Sequence, residues 1–175
     1  MMVEKPSEER KAEVGKKSFS IVSAVVLVLS MLATPFALAE EVTRESYKEQ
    51  VEPICKVNTE ANKRILKGVR KLVKRGKLKA AGVKFAKAGA ALNRARGELA
   101  AVPKPSEDEA KLTKWLGKIK VEVTLFKKTA KKLKAGDKNG AQTLVIKLQH
   151  NATVANNLVL GFEFHYCRFE PSKFT

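Results

Sequence analysis

From Thr43 onward, apolar residues recur at steps of three, four and seven, and this helical period constrains the fold more than any other feature of the chain. The first stripe, Tyr47, Val51, Ile54, Ala61, Ile65, Val69, Leu72 and Val73, predicts a helix from Thr43 to about Gly76. Pro53 lies inside it and removes one backbone donor, so a kink is expected there. Leu78, Phe85, Leu92 and Leu99, spaced by seven with Ala81, Ala88 and Ala95 between them, predict a second, closely packed helix to about Ala101. Val102-Pro103-Lys104-Pro105 stops it, and Ser106 followed three residues later by Glu109 reads as a capping box for the third helix.

The third helix carries Leu112, Trp115, Leu116, Ile119, Val123, Phe126, Ala130 and Leu133 on its inner face, with Trp115 as a core anchor. Ala135-Gly136-Asp137 ends it and caps a fourth helix from Lys138, which bends or ends at Gly161. Four amphipathic helices joined by short loops imply an all-α fold, an antiparallel up-down-up-down four-helix bundle. The tail carries Phe162, Phe164, Tyr166 and Phe169, too aromatic to be left in water, and is expected to pack over one end.

Ahead of the helices, a polar stretch containing Lys16 and Lys17 is followed by an uncharged run from Ile21 to Ala39, which finishes in Pro35 and Ala37-Leu38-Ala39. This reads as a signal peptide over residues 1–39, cut after Ala39 to leave a helical-bundle domain over 40–175. The competing reading is an uncleaved anchor that tethers the protein through residues 21–39, since the run approaches the ~20 apolar residues that span a bilayer. The first cysteine is Cys55, too far from the run for lipid attachment. Either way the domain is expected outside the cytoplasm: periplasmic, in the cell envelope or secreted.

Two cysteines in an oxidising compartment imply a disulfide, Cys55 to Cys167. Closing a loop of slightly over a hundred residues is worth roughly 4 to 5 kcal/mol in the chain-entropy picture. If the first and fourth helices lie side by side, a rise of 1.5 Å per residue puts Cys55 level with about Val159, so the tail must fold back after Gly161 to reach its partner.

The chain is strongly basic: 35 Lys and Arg against 18 Asp and Glu, a net charge of +17. In the expected bundle the cations gather at one pole, formed by the turn between the first two helices and the turn between the last two. The candidate anion-binding residues are Lys67, Arg70, Lys71, Lys74, Arg75, Lys77 and Lys79 on one side, and Lys127, Lys128, Lys131, Lys132 and Lys138 on the other. Helix dipoles favour cations at helix ends, at roughly 0.3 to 1 kcal/mol each, but Lys77, Lys79 and Lys138 stand at helix starts, where the dipole disfavours them. The excess points to an anionic partner outside the membrane, an anionic lipid or an acidic cell-wall polymer, with an acidic protein as a further option; the alternative is a structural or protein-interaction bundle with no small ligand, whose charge serves solubility or docking. Nucleic acid ranks lower, because lysine dominates the patch and aromatic residues for base stacking are missing from it.

Other chemistries find little support. His150 and His165, with the two cysteines, are the one set of soft ligands, and a metal site would need the thiols reduced, so no metal is expected. No haem attachment motif, Glu-x-x-His pair, nucleophile elbow or phosphate loop occurs, so neither a cofactor nor an enzymatic activity is expected. Asn151-Ala152-Thr153 matches a glycosylation acceptor that would matter only in a glycosylating host.

Glu-Pro-Ile-Cys at 52–55, the Gly-Asp-x-x-Gly-Ala turn at 136–141 and the terminal Tyr-Cys-Arg-Phe at 166–169 resemble small uncharacterised exported helical-bundle proteins of bacteria. The resemblance covers the chain after the signal segment and implies a disulfide-stapled bundle; it carries no activity.

Overall fold

A computed structural model describes residues 41–170, all within one compact unit, Ala39–Thr175. The signal segment expected at residues 1–39 lies outside the described residues. The described chain is helical, with no strand: α1 (Arg44–Leu66), a short α2 (Val69–Lys74), α3 (Leu78–Ala101), α4 (Glu109–Lys134) and α5 (Lys138–Leu158). Single 3-10 turns at Ser106–Asp108 and Leu160–Phe162 precede α4 and follow α5.

Thr43 starts α1 with a reciprocal cap. Its hydroxyl accepts the Ser46 N–H at 3.1 Å, and the Ser46 hydroxyl oxygen accepts the Thr43 N–H at 3.0 Å, satisfying two donors that the first turn leaves open. The first break in the helical run lies beyond Pro53, the position of the expected kink. α1 runs through the proline, held on both sides of the missing donor by buried Val51 and Cys55. It stops at Lys67 (φ −50°, ψ 124°) and Gly68 (φ 77°, ψ 4°). These are the two central positions of a type II turn, whose second site needs a positive φ.

α3 packs on α4, α4 on α5 and α1 on α3, while α2 rests on α3. Two glycines set the α3–α4 approach. A Cβ on Gly82 would lie 2.8 Å from Lys134 Cγ and 2.9 Å from the Ala130 carbonyl oxygen, and one on Gly89 would lie 2.8 Å from Phe126 Cβ. Lys84 of α3 donates to the Ile65 carbonyl at 2.7 Å, occupying one of the acceptors that the end of α1 leaves open. The core includes Tyr47, Val51, Phe85, Leu92, Leu112, Trp115, Phe126 and Leu148, each large apolar side chain worth roughly 1.5 to 3 kcal/mol on burial.

The boundary before α4 is where the sequence places it, but the cap differs. Ser106 and Glu109 form no capping box; Ser106–Asp108 is a 3-10 turn, and Asp108 makes no side-chain cap. The Asp108 carboxylate, 1% exposed, instead takes a bidentate fork from Arg44, through Nε and through Nη2 at 3.1 Å, and a bond from Lys111 at 3.0 Å. Charge-assisted bonds of this kind outcompete a neutral cap.

After α5, Glu163 adopts a left-handed φ of 50° and turns the chain back. Phe162 and Phe164 stack at 5.2 Å, and Phe164 meets Trp115 at 5.7 Å. The Cys55–Cys167 disulfide is formed, with Cα atoms 4.9 Å apart. Glu52 accepts the backbone N–H groups of His165 (2.6 Å) and Tyr166 (2.8 Å). On the other side Asn156 of α5 exchanges two bonds with the Phe169 backbone, both 2.9 Å. The tail therefore bridges α1 and α5, which share no extensive interface of their own. A disulfide suits an oxidising, non-cytoplasmic environment, and among the described residues no helix is long and apolar enough to cross a membrane.

Candidate functional site

The basic segments converge on two turns built the same way. α2 ends at Gly76 (φ 69°), whose N–H bonds to the Val73 carbonyl (3.1 Å) while Lys77 N–H reaches back to Leu72 (2.9 Å). α4 ends at Gly136 (φ 80°), with Gly136 to Leu133 at 3.1 Å and Asp137 to Lys132 at 2.9 Å. Both are Schellman closures, which require the left-handed conformation that glycine takes without steric cost. Asp137 then caps α5 by accepting the Gly140 N–H at 2.7 Å.

All twelve candidate cations are exposed. Lys77 and Lys79 line one surface depression with Gly76, Lys134 and Gly136, so the two turns meet. Arg70, Lys74 and Lys138 line an adjoining groove of about 420 Å³ between α2 and α5, and Leu133 belongs to the walls of both. Lys67, Lys71, Arg75, Lys127, Lys128, Lys131 and Lys132 line neither depression. Lys132 is already engaged, donating to Asp137 at 2.8 Å; this bond and the Gly140 N–H hold the Asp137 carboxyl below its ordinary range. Among the described residues, Lys67, Lys71, Lys74, Arg75, Lys77, Lys79, Lys127, Lys128, Lys131 and Lys138 make no ion pair.

The 420 Å³ groove differs from the rest of the basic surface in its floor. Val69, Val73, Phe85, Leu133, Ala141 and Val145 make it apolar. Thr129 also lines it, fully buried, and its hydroxyl has no hydrogen-bond partner among the described residues.

Three polar residues went unassigned in the sequence reading. The stripe Leu112, Trp115, Ile119, Glu122, Phe126, Thr129, Leu133 advances by alternating threes and fours, so Glu122 and Thr129 occupy core positions of α4, and that register is the signal that locates them. Glu122 is 1% exposed, and burial pushes its carboxyl up to about 8, partly offset by the bond from Asn151. Asp108 is one of several acids at a helix start, and its burial beside Arg44 and Lys111 is a tertiary fact. Those two cations hold its carboxyl below the ordinary range.

His150 and His165 are both exposed, His165 set edge-on against Tyr166 at 4.4 Å. Both cysteines are oxidised, and among the described residues no cluster of three or more His, Cys, Asp or Glu is placed to hold a metal ion. Asn151 is buried and donates to the Lys118 carbonyl (3.0 Å) and to Glu122 (3.3 Å), so its amide is committed to the interior. No family model, curated protein or solved structure matches this chain.

Proposed function

We propose that this is a noncatalytic exported protein that binds an anionic component of the cell envelope, lipid or acidic wall polymer, through the cationic end made by the α2–α3 and α4–α5 turns. The observation that carries the reading is that Gly76 and Gly136 line one depression together with Lys77, Lys79 and Lys134. Two lysine-rich turns remote in sequence thereby present one field. Exposed like charges held this close repel one another and lower the stability of the folded chain, a cost that a bound polyanion removes. We read the helices as an antiparallel up-down-up-down bundle. The descending register of α4 against α3, Gly82 beside Ala130 and Lys134 and then Gly89 beside Phe126, supports this. Export is supported by the disulfide and by the signal-like segment at residues 1–39.

The test is sedimentation of the protein, purified from cells expressing the full chain, with vesicles of neutral lipid, of anionic lipid, and with acidic wall polymer, across a salt series. Binding to the anionic surfaces is expected to fall steeply with salt, since the Debye length shrinks from about 30 Å at 0.01 M to about 8 Å at 0.15 M. Changing Lys77, Lys79, Lys134 and Lys138 together to Ser removes roughly 1 kcal/mol per lysine near an anionic surface, a total near a thousandfold in affinity. Binding that is absent at low salt, or unaltered in the fourfold variant, rejects the proposal.

A further inference from the structure

We infer that the face where α1, α2 and α3 meet docks on an anionic phospholipid bilayer, with Val83 and Leu72 entering the acyl region while Lys77, Lys79 and Lys134 meet the head groups. This rests on the anion-binding reading above and names the lipid surface as the source of the anions.

α1 stops at Leu66 and α2 restarts at Val69, so Ile65 and Leu72 border the outer face of α3 from two different helices. With Ala80, Val83, Lys84 and Lys87 they line a shallow depression of about 480 Å³. None of these six residues is buried, and Val83 is 44% exposed. Ala80, Val83 and Lys87 follow one another by three and four, so they share one stripe of α3. Lys84 donates to the Ile65 carbonyl at 2.7 Å, leaving its alkyl stem to line the depression. Single exposed apolar residues are ordinary on a soluble surface. Val83 differs in having Ile65 and Leu72 beside it.

A second observation says what covers this patch. Ala80 also belongs to the cationic depression of Gly76, Lys77, Lys79, Lys134 and Gly136, so the apolar and the charged surfaces are continuous. Lys77, Lys79, Lys87 and Lys134 pair with no carboxylate among the described residues. A hydrophilic wall polymer supplies counter-charge and leaves Val83 and Leu72 in water. A second copy joined through a two-fold axis covers them but sets the same lysines against each other. The uncharged run from Ile21 to Ala39 covers them and brings no anion. An anionic bilayer meets both demands: its surface attracts each lysine, and its acyl boundary takes the apolar side chains, as for helices that lie in a membrane interface.

The experiment is tryptophan quenching. Val83→Trp, in protein purified from cells expressing the full chain, is mixed with vesicles of anionic phospholipid brominated in its acyl chains. Trp115, 1% exposed in the core, is a constant background. Leu160→Trp, 57% exposed and beyond the end of α5 remote from the basic turns, is the control. A blue shift and strong quenching of the added indole are expected for Val83→Trp and neither for the control. Ala80→Trp serves the same purpose if the first variant misfolds. Val83→Ser is expected to weaken vesicle binding about fivefold at low and high salt alike, because apolar burial is not screened, and to leave binding to acidic wall polymer unchanged.

Vesicles that carry the protein down without quenching either added indole, or with quenching no greater than in the control, overturn the inference while the broader reading stands. Binding to wall polymer and not to anionic vesicles does the same and makes the polymer the occupant. Binding to neither rejects both. A concentration-dependent dimer that Val83→Ser dissociates makes a second copy of the chain the occupant and likewise overturns the inference.

Discussion

The amide nitrogen of Asn151 lies 3.3 Å from Glu122 Oε1, joining α5 to α4 inside the core. The second carboxyl oxygen has no partner among the described residues. An ionised carboxylate with one neutral donor is poorly compensated there, so burial raises the folded-state pKa to about 8 from an ordinary 4.5. The protonated form is the one the fold accommodates. Stability from this group is therefore complete below about pH 4.5 and is lost as pH rises toward 8, by at most roughly 5 kcal/mol. Glu122→Gln keeps the acceptor for Asn151 and removes the titration. Urea midpoints measured from pH 5 to 8 should fall for the native chain and stay level for the variant; parallel curves would reject the account.

Asp108 acts in the opposite sense. Arg44 first, and then Lys111, lower its pKa, so its contribution is present above the ordinary carboxyl value and disappears as pH drops through the depressed one. Arg44→Met removes the fork and the cation over the Phe162 ring, 5.6 Å from its centroid. Because Arg44 is half exposed, the loss at pH 6 is expected to fall well short of the full cost of breaking a buried pair. Chemical denaturation at pH 6 and pH 3 checks it: the difference between the two proteins should shrink at pH 3. Together these two carboxyls place the stability contribution of the pair at its greatest on the acid side of neutrality.

The disulfide joins residues 112 apart in sequence. Replacing Cys55 and Cys167 together by Ala should cost up to about 4 to 5 kcal/mol by releasing that loop in the unfolded chain. Reductant should shift the urea midpoint of the native protein to that of the double variant and leave the variant unmoved. A native midpoint indifferent to reductant would show that Glu52 and Asn156 hold the tail unaided.

Glycines in α3 separate packing from propensity. Gly82→Ala forces a methyl against the Ala130 carbonyl and Lys134, and overpacking of this kind costs about 1 to 3 kcal/mol, against up to ~1 kcal/mol recovered from helix propensity. Gly97 has open space around it, so Gly97→Ala should stabilise by about 0.5 to 1 kcal/mol. Thermal melts of the two variants should move in opposite directions.

The period of the apolar residues and the Gly and Pro stops locate α3, α4 and α5 closely because those signals are local: a stripe, a capping aspartate, a glycine that can turn left-handed. Where a local signal had a tertiary competitor, it lost. The Ser106–Glu109 box did not form, and Arg44 claimed the neighbouring Asp108.

The amino-acid order by itself determined the helical class, the loops at Gly76, Val102–Pro105 and Gly136, the pairing of the two cysteines and the exposure of the lysines at the two turns, all consequences of periodicity and composition, while the turn at Lys67–Gly68 carried no such signal. Only the tertiary structure decided that Glu122 and Asn151 meet in the core, that Gly76 and Gly136 share one surface, and that Ile65 and Leu72 border Val83 beside it. Those relations join residues far apart in the chain. Their distances follow from how whole helices pack, which depends on many weak contacts acting at once and on no single motif.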